Sequence, residues 1–349
     1  MTKIDKYSHF VKILKRVCAV IVVCVLVLLI IVIKTGSFHN IKLTSDKTKT
    51  GSLDTPKPTT TVNNPSFFGL SAENTEYSLH AEQINQINSN QYQLHKVKGK
   101  YFLDKDNKEY ISLSANEAYV DSSMKDADLV ENVEVLFSGG YRLLTERLAI
   151  NFNLLEASTI IPVTITGAKG KIIADNGMLL KHAQKTVEFY GPVKTILHNA
   201  MNDNASTVID SDKLLINYAT QTADFTGNAK VTKKDLVMNC NKIIVYTKKQ
   251  IDSGDKVGAE AQRIEHIEFF DNIVIVQNNK TARGDLGEYN AKDDVITLVN
   301  NVSLTEDGHY LEGDKLTYNL KTEIARMVGF NKNQQTATGR VRVLIPDSE

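Results

Sequence analysis

The sequence predicts an all-β protein behind an N-terminal apolar segment. Three observations predict it: a phrase repeated at fixed spacing, period-two alternation, and closely spaced turn signals. The phrase is a small polar or acidic residue, then Lys or Arg, then Leu or Ile, with an apolar residue two positions further on. It occurs as Glu146-Arg147-Leu148-Ala149-Ile150, Asp212-Lys213-Leu214-Leu215-Ile216, Asn241-Lys242-Ile243-Ile244-Val245 and Asp314-Lys315-Leu316-Thr317-Tyr318. Asp212 and Asn241 are 29 residues apart, as are Asp314 and Asp285, the latter within Gly284-Asp285-Leu286-Gly287-Glu288-Tyr289. The same step from Glu146 reaches Glu117 in one direction and, more weakly, Asp175 in the other. Self-similarity at such a period marks stacked supersecondary units, and a repeat of this length holds about two strands with their turns. A pile of β-hairpins is expected.

Individual strands support this. Val133-Glu134-Val135-Leu136-Phe137 and Tyr110-Ile111-Ser112-Leu113 alternate apolar and polar, the mark of a half-buried strand. Ile273-Val274-Ile275-Val276 and Ile243-Ile244-Val245-Tyr246 are apolar on both faces, which predicts cover on both sides or a cavity beside them. Turns are expected at Asp104–Asn107, Ser138-Gly139-Gly140, Asp175-Asn176-Gly177, Gln277–Lys280, Asn300-Asn301 and Glu306-Asp307-Gly308. After residue 66 no stretch has the pattern of a long amphipathic helix.

The N-terminus is a different physical object. Val17 to Ile33 is an unbroken apolar run of 17 residues, about 26 Å long as a helix, which nearly matches the hydrocarbon core of a bilayer. Five basic residues against Asp5 precede it, so the positive-inside rule places residues 1–16 in the cytoplasm and everything after the span outside. A cleaved signal peptide is the competing reading, although no Ala-x-Ala site follows. Residues 35–66, rich in Ser, Thr, Lys and spaced prolines, read as a linker.

Composition bounds the remainder. The chain of 349 residues is formally neutral; without residues 1–16 it carries 36 basic against 40 acidic residues, a surface unsuited to nucleic acid. Cys18 and Cys24 lie in the apolar run and Cys240 alone lies beyond it, so the exported part has no internal disulfide. Cys240 sits in an apolar strand pattern and reads as a small buried hydrophobe. The eight histidines have no metal-binding spacing, and neither a nucleophile elbow nor a phosphate loop is present. No enzyme, cofactor or metal is expected. A break after Gly191-Pro192-Val193, which closes one strand set, divides two domains at 200/201.

The stretch Ala282–Tyr289, followed by Val295-Ile296-Thr297-Leu298, Asn301-Val302-Ser303-Leu304 and Leu311–Leu316, resembles the LptA/OstA-type repeat of lipopolysaccharide-transport proteins. The preceding part has the anchor, Leu79-His80-Ala81, Ala115–Tyr119, Leu144–Leu148 and Pro162-Val163, and is similar to LptC, the membrane-anchored member of that machinery. The resemblance implies a natural fusion: cytoplasmic tail 1–16, anchor 17–34, linker 35–66, LptC-like domain 67–200 and LptA/OstA-like domain 201–349. Each domain is then an incomplete antiparallel β-jelly roll whose V-shaped apolar slot holds acyl chains.

Parity assigns the slot lining. In the first domain it is Val133, Val135, Phe137, Leu148, Ile150 and Phe152; in the second it is Ile216, Val231, Ile243, Val245, Ile273, Ile275, Leu298, Val302, Leu304 and Leu316. The last strand, with Val341, Val343 and Ile345, is the expected partner edge. Implied partners are lipopolysaccharide, an inner-membrane ABC transporter of the Lpt type, and an outer-membrane Lpt acceptor or further LptA-type subunits. A membrane-anchored β-sandwich scaffold or adhesin would fill its interior and expose binding loops. A polysaccharide-processing enzyme on a β-solenoid would cluster carboxylates, and no such cluster stands in the sequence. A reporter fused after Glu349 is expected to be active only outside the cytoplasm; protection inside the cell would contradict the topology, and a mature N-terminus near Gly36 would identify a cleaved signal.

Overall fold

The computed structural model describes residues 60–70, 76–102, 109–123, 125–151, 154, 156–198, 206–249, 262–322, 324–329 and 342–344. The expected cytoplasmic tail and anchor, and most of the linker, lie outside them; among the described residues no helix is long and apolar enough to cross a membrane. Every regular element described is a β-strand. In chain order these are β1 Thr60–Asn63, β2 Ser66–Leu70, β3 Glu76–His80, β4 Gln83–Asn88, β5 Gln91–Phe102, β6 Tyr110–Asp121, β7 Asp126–Phe137, β8 Arg142–Asn151, β9 Glu156–Thr159, β10 Val163–Gly167, β11 Gly170–Ala174 and β12 Met178–Lys181. They continue with β13 Thr186–Leu197, β14 Thr207–Asn217, β15 Thr222–Lys233, β16 Leu236–Lys249, β17 Gln262–Gln277, β18 Lys280–Asn290, β19 Val295–Glu306, β20 His309–Asn319, β21 Ala325–Val328 and β22 Arg342–Leu344.

The chain divides into two compact units, Met1–Gly167 with Gly177–Lys185, and Ala168–Asn176 with Thr186–Glu349. The first is an antiparallel ladder β5-β6-β7-β8. At one side β4 and β3 pair with successive halves of β5, carrying β1 and β2; at the other, β10 and β9 pair with successive halves of β8, and β12 joins β9. The second unit is an antiparallel run from β13 to β20, with β11 beside β13 and β21 and β22 beside β20. Strands β11 and β13 thus pack with the second unit, while the expected boundary at 200/201 falls in the β13–β14 connection, outside the described residues.

The repeated phrase acquires a physical meaning in these ladders. Each long strand is interrupted near its middle, and the interruptions lie side by side. Alternate strands carry there two adjacent residues in the left-handed region: Glu131-Asn132 in β7, Gly227-Asn228 in β15, Asp271-Asn272 in β17 and Asn300-Asn301 in β19. Gly, Asn and Asp tolerate that conformation best. The strands between carry the phrase, and its first residue holds the doublet. The Asn132 N–H donates to Glu146 Oε2 at 3.0 Å, Asn228 Nδ2 to Asp212 Oδ2 at 2.9 Å, and Asn301 Nδ2 to Asp285 Oδ2 at 2.5 Å. The basic second residue faces outward to a carboxylate on another strand: Arg147 to Asp128 at 2.9 Å, Lys213 to Glu188 at 2.7 Å, Lys242 to Asp224 at 3.3 Å. The third residue, Leu148, Leu214, Ile243 or Leu316, is buried.

Inward positions are three residues apart across the phrase rather than two: Thr145 to Leu148, Ser211 to Leu214, Cys240 to Ile243. The small inward side chain closes the bulge on itself, since Thr145 Oγ1, Ser211 Oγ and Cys240 Sγ each donate to the carbonyl two residues on. Asn300-Asn301, expected to be a turn, therefore lies inside β19, because its need for left-handed backbone comes from the bulge. Gly191-Pro192, expected to close a strand set, likewise lies within β13, where the pairing with β14 shifts register between Tyr190 and Val193.

Strands apolar on both faces are covered on one only. Ile273 and Ile275 are buried, whereas Val274 is half-buried and Val276 exposed, so the outer face of this single sheet layer meets solvent. Gly287 stands opposite both Phe269 and Leu298, and a Cβ there would come within 2.8 Å of Leu298 Cδ2 and 3.1 Å of Phe269 Cδ2. Gly287→Val is expected to cost about 1–3 kcal/mol by overpacking, read as a lower urea midpoint; an unchanged midpoint would show that these side chains yield freely.

Candidate functional site

The bulges bend the ladder of the second unit over an apolar cavity of about 370 Å³, a volume in the range of small-molecule pockets. Residues from both halves of single strands meet there: Met238 with Ile243 and Val245 from β16, and Gln277 with Ile267 and Phe269 from β17. A straight strand could not bring its two ends to one space, so the bend creates the cavity. A smaller pocket of about 30 Å³ lies among Ile275, Leu298, Leu304 and Leu316, with Lys280 and Tyr318 beside it.

Most residues selected by parity face inward. In the first unit Val133, Val135, Leu148 and Ile150 are buried; Phe137, opposite Ile111 at the end of β7, is half-buried; Phe152 lies outside the described residues. In the second, Val231, Ile243 and Val245 line the larger cavity, Ile275, Leu298, Leu304 and Leu316 the smaller, and Ile273 and Val302 are buried. Ile216 is half-buried, opposite Val187 and Ala223 near the end of β14. Val343 pairs with Leu311 in β22, while Val341 and Ile345 lie outside the described residues.

The parity choice omitted Met238, Phe269, Tyr289 and Ile296, all of which line the cavity. Tyr289 ends the Gly284–Tyr289 phrase, and Ile296 shares the inward parity of Leu298, so both signals were present in the sequence. The rim was not marked by any pattern. It consists of Lys233 at the end of β15, Lys234 and Asp235 in the turn that follows, and Asp294 and Lys321 in the turns after β18 and β20.

Polar groups line part of this space. The Tyr289 hydroxyl donates to Asp294 Oδ1 at 2.9 Å with both residues buried, and Lys321 Nζ lies 3.8 Å from Asp294 Oδ2. Burial pushes the Cys240 thiol up to about 11, against lowering by backbone hydrogen bonds near Lys242 and Phe270. On the outer face, burial and the neighbouring Glu188 carboxylate raise Tyr190 to about 12. Among the described residues no group of three or more His, Cys, Asp or Glu comes together to hold a metal. The arrangement suits an elongated apolar group with a polar end at the rim.

A bent antiparallel ladder of hairpins around an apolar cavity defines a class of all-β proteins with room for an apolar ligand. A family model described as lipopolysaccharide-assembly, LptC-related, matches residues 20–199, and one described as LptA/(LptD N-terminal domain) LPS transport protein matches residues 208–324. The first spans more than half of the chain, which therefore belongs to the lipopolysaccharide-assembly, LptC-related family and carries an LptA-like domain after the LptC-like one. Among solved structures the chain is similar to LptH, described as the LptA homologous periplasmic component of the conserved lipopolysaccharide transport device from Pseudomonas aeruginosa. Identity is 16%, 40% of this chain and 95% of that chain are covered, and the TM-score is 0.31. No curated protein matches.

The buried thiol gives a test of the packing. In a Cys18→Ser/Cys24→Ser chain, Cys240 is expected not to react with an aromatic disulfide reagent at pH 8 until the protein unfolds, because the thiol stays protonated and enclosed. Fast labelling of the folded chain would contradict the burial beside the bulge.

Proposed function

We propose that this chain is an inner-membrane-anchored periplasmic component of a lipopolysaccharide export bridge. It accepts lipopolysaccharide from an Lpt-type ABC transporter in the inner membrane and passes the acyl chains toward the outer membrane without catalysing a reaction. The observation that carries the reading is the cavity formed when both halves of β16 and β17 fold over Ile243, Val245 and Phe269. We interpret each unit as an incomplete β-jelly roll whose slot offers acyl chains about 0.8 kcal/mol per buried CH₂, where the aqueous periplasm offers none.

The order of parts supports a direction. The expected span at residues 17–34 precedes the LptC-like domain, and the LptA-like domain follows it on the same chain. Covalent linkage replaces a weak association by one of high effective concentration. The sequence has no phosphate loop, so the energy comes from the transporter. Strand β22 pairs with β20 through Arg342–Leu344; with Val341, Val343 and Ile345 it provides the edge to which an outer-membrane acceptor or another LptA-type subunit adds a strand. A scaffold or adhesin would not need an internal cavity.

Photo-crosslinking residues at Phe137 and Ile275 are expected to capture lipopolysaccharide in cells, and those at the outward Glu134 and the turn residue Asn278 to capture little. Equal capture at all four positions would remove the slot.

A further inference from the structure

We propose that the hydrogen bond between Gln277 and Tyr318 is a clasp across the mouth of the bend: it shuts the smaller pocket from the side, so that an acyl chain seats in the larger cavity and passes on only when the clasp opens. This deepens the export reading and rests on it. The bulges divide the ladder from β17 to β20 into two leaves. Residues 273–277, 280–283, 302–306 and 309–313 pair on one side of the bulge line, and residues 266–270, 286–290, 295–299 and 315–319 on the other. Gln277 ends β17 on the first leaf, and Tyr318 lies one residue before the end of β20 on the second. The smaller pocket takes Ile275, Ala282 and Leu304 from the first leaf and Leu298 and Leu316 from the second, so it lies between them.

The Tyr318 hydroxyl donates to Gln277 Oε1 at 3.0 Å. Two leaves that diverge from one line of bulges are thus joined at their far ends. The same amide donates through Nε2 to Asp235 Oδ2 at 3.3 Å. An ionised carboxylate only accepts, so that bond fixes the orientation of the amide and turns Oε1 toward the tyrosine. Lys280, opposite Gln277 in the β17–β18 hairpin, holds its ammonium 5.9 Å from the Tyr318 ring centroid and 3.1 Å from Glu306 Oε1, within the range of a cation–π contact. Tyr318 therefore meets two side chains of the opposite leaf. Gln277 and Ile296 line both the larger cavity and the smaller pocket, which places the clasp at the passage between them. A neutral hydrogen bond adds only modest net free energy, so the leaf ends can part by local opening while the ladder stays folded.

The test uses the full Cys18→Ser/Cys24→Ser chain in phosphatidylcholine nanodiscs with one reporter thiol, Ile275→Cys in the smaller pocket or Ile267→Cys in the larger cavity, labelled with an aromatic disulfide reagent. Tyr318→Phe keeps the ring and removes the bond; Gln277→Ala removes it from the other side. Each is expected to speed labelling of the Ile275→Cys reporter about fivefold, the size of one neutral hydrogen bond, and to leave the Ile267→Cys reporter unchanged. Without reporters, the same chains are titrated calorimetrically with neutral monoacylglycerols of increasing chain length, against empty nanodiscs. Affinity is expected to stop rising at a shorter chain with the clasp intact than in either variant. Unchanged labelling of the Ile275→Cys reporter in either variant, or an equal rise at both reporters, would overturn the clasp and leave the slot standing. Faster labelling with the same limiting chain length would show that the bond does not confine the chain and would overturn its role. Binding of no monoacylglycerol would overturn the slot, and the role of the clasp with it.

Discussion

The structure depends on the row of mid-strand bulges. A strand of 12 to 16 residues, such as β19 or β17, would otherwise run straight for roughly 40–50 Å and expose its apolar face. Two left-handed residues opposite one phrase residue bend each strand, and because the bulges are aligned, the whole ladder bends along one line. The left-handed residues cost free energy. Glu146, Asp212 and Asp285 offset part of that cost with hydrogen bonds to the doublets. Cavity and rim both follow from that bend.

The inner face supplies most of the stability. Fully buried Phe189, Leu214, Ile243, Ile273 and Leu298 each contribute about 1.5–3 kcal/mol on transfer from water. The outward pairs Lys213–Glu188, Lys242–Asp224 and Lys194–Asp210 are partly exposed, and pairs of that kind are worth about 0–1 kcal/mol each. Their value lies more in fixing register and keeping the solvent face polar, since a one-residue slip would reverse inside and outside. The phrase thus combines three tasks in three residues: hold the bulge, mark the outer face, fill the interior.

Within a half-strand the sequence was a reliable guide. Val133 with Val135 and Ile273 with Ile275 alternate cleanly and are buried. Across a phrase, simple alternation fails, because Cys240 and Ile243 face the same way three residues apart; Leu148, Ile243 and Leu316, each the third residue of its phrase, are buried. Phe137 and Ile216 have the inward parity but sit at strand ends, where neighbours no longer cover them. Asn300-Asn301 read as a turn since the same residue chemistry serves turns and bulges. Which turns meet at the rim depends on the bend angle, and no local pattern around Lys233 or Lys321 encodes it.

The central claim is that the bend makes a space for an acyl chain on one face of the second unit. Isoleucine-methyl NMR of the full chain with a doxyl-labelled fatty amphiphile measures this directly. The account predicts loss of the Ile243, Ile267 and Ile275 signals, all inward, while that of the neighbouring outward Ile244 keeps its intensity. Equal broadening of Ile243 and Ile244, or none at all, would contradict it.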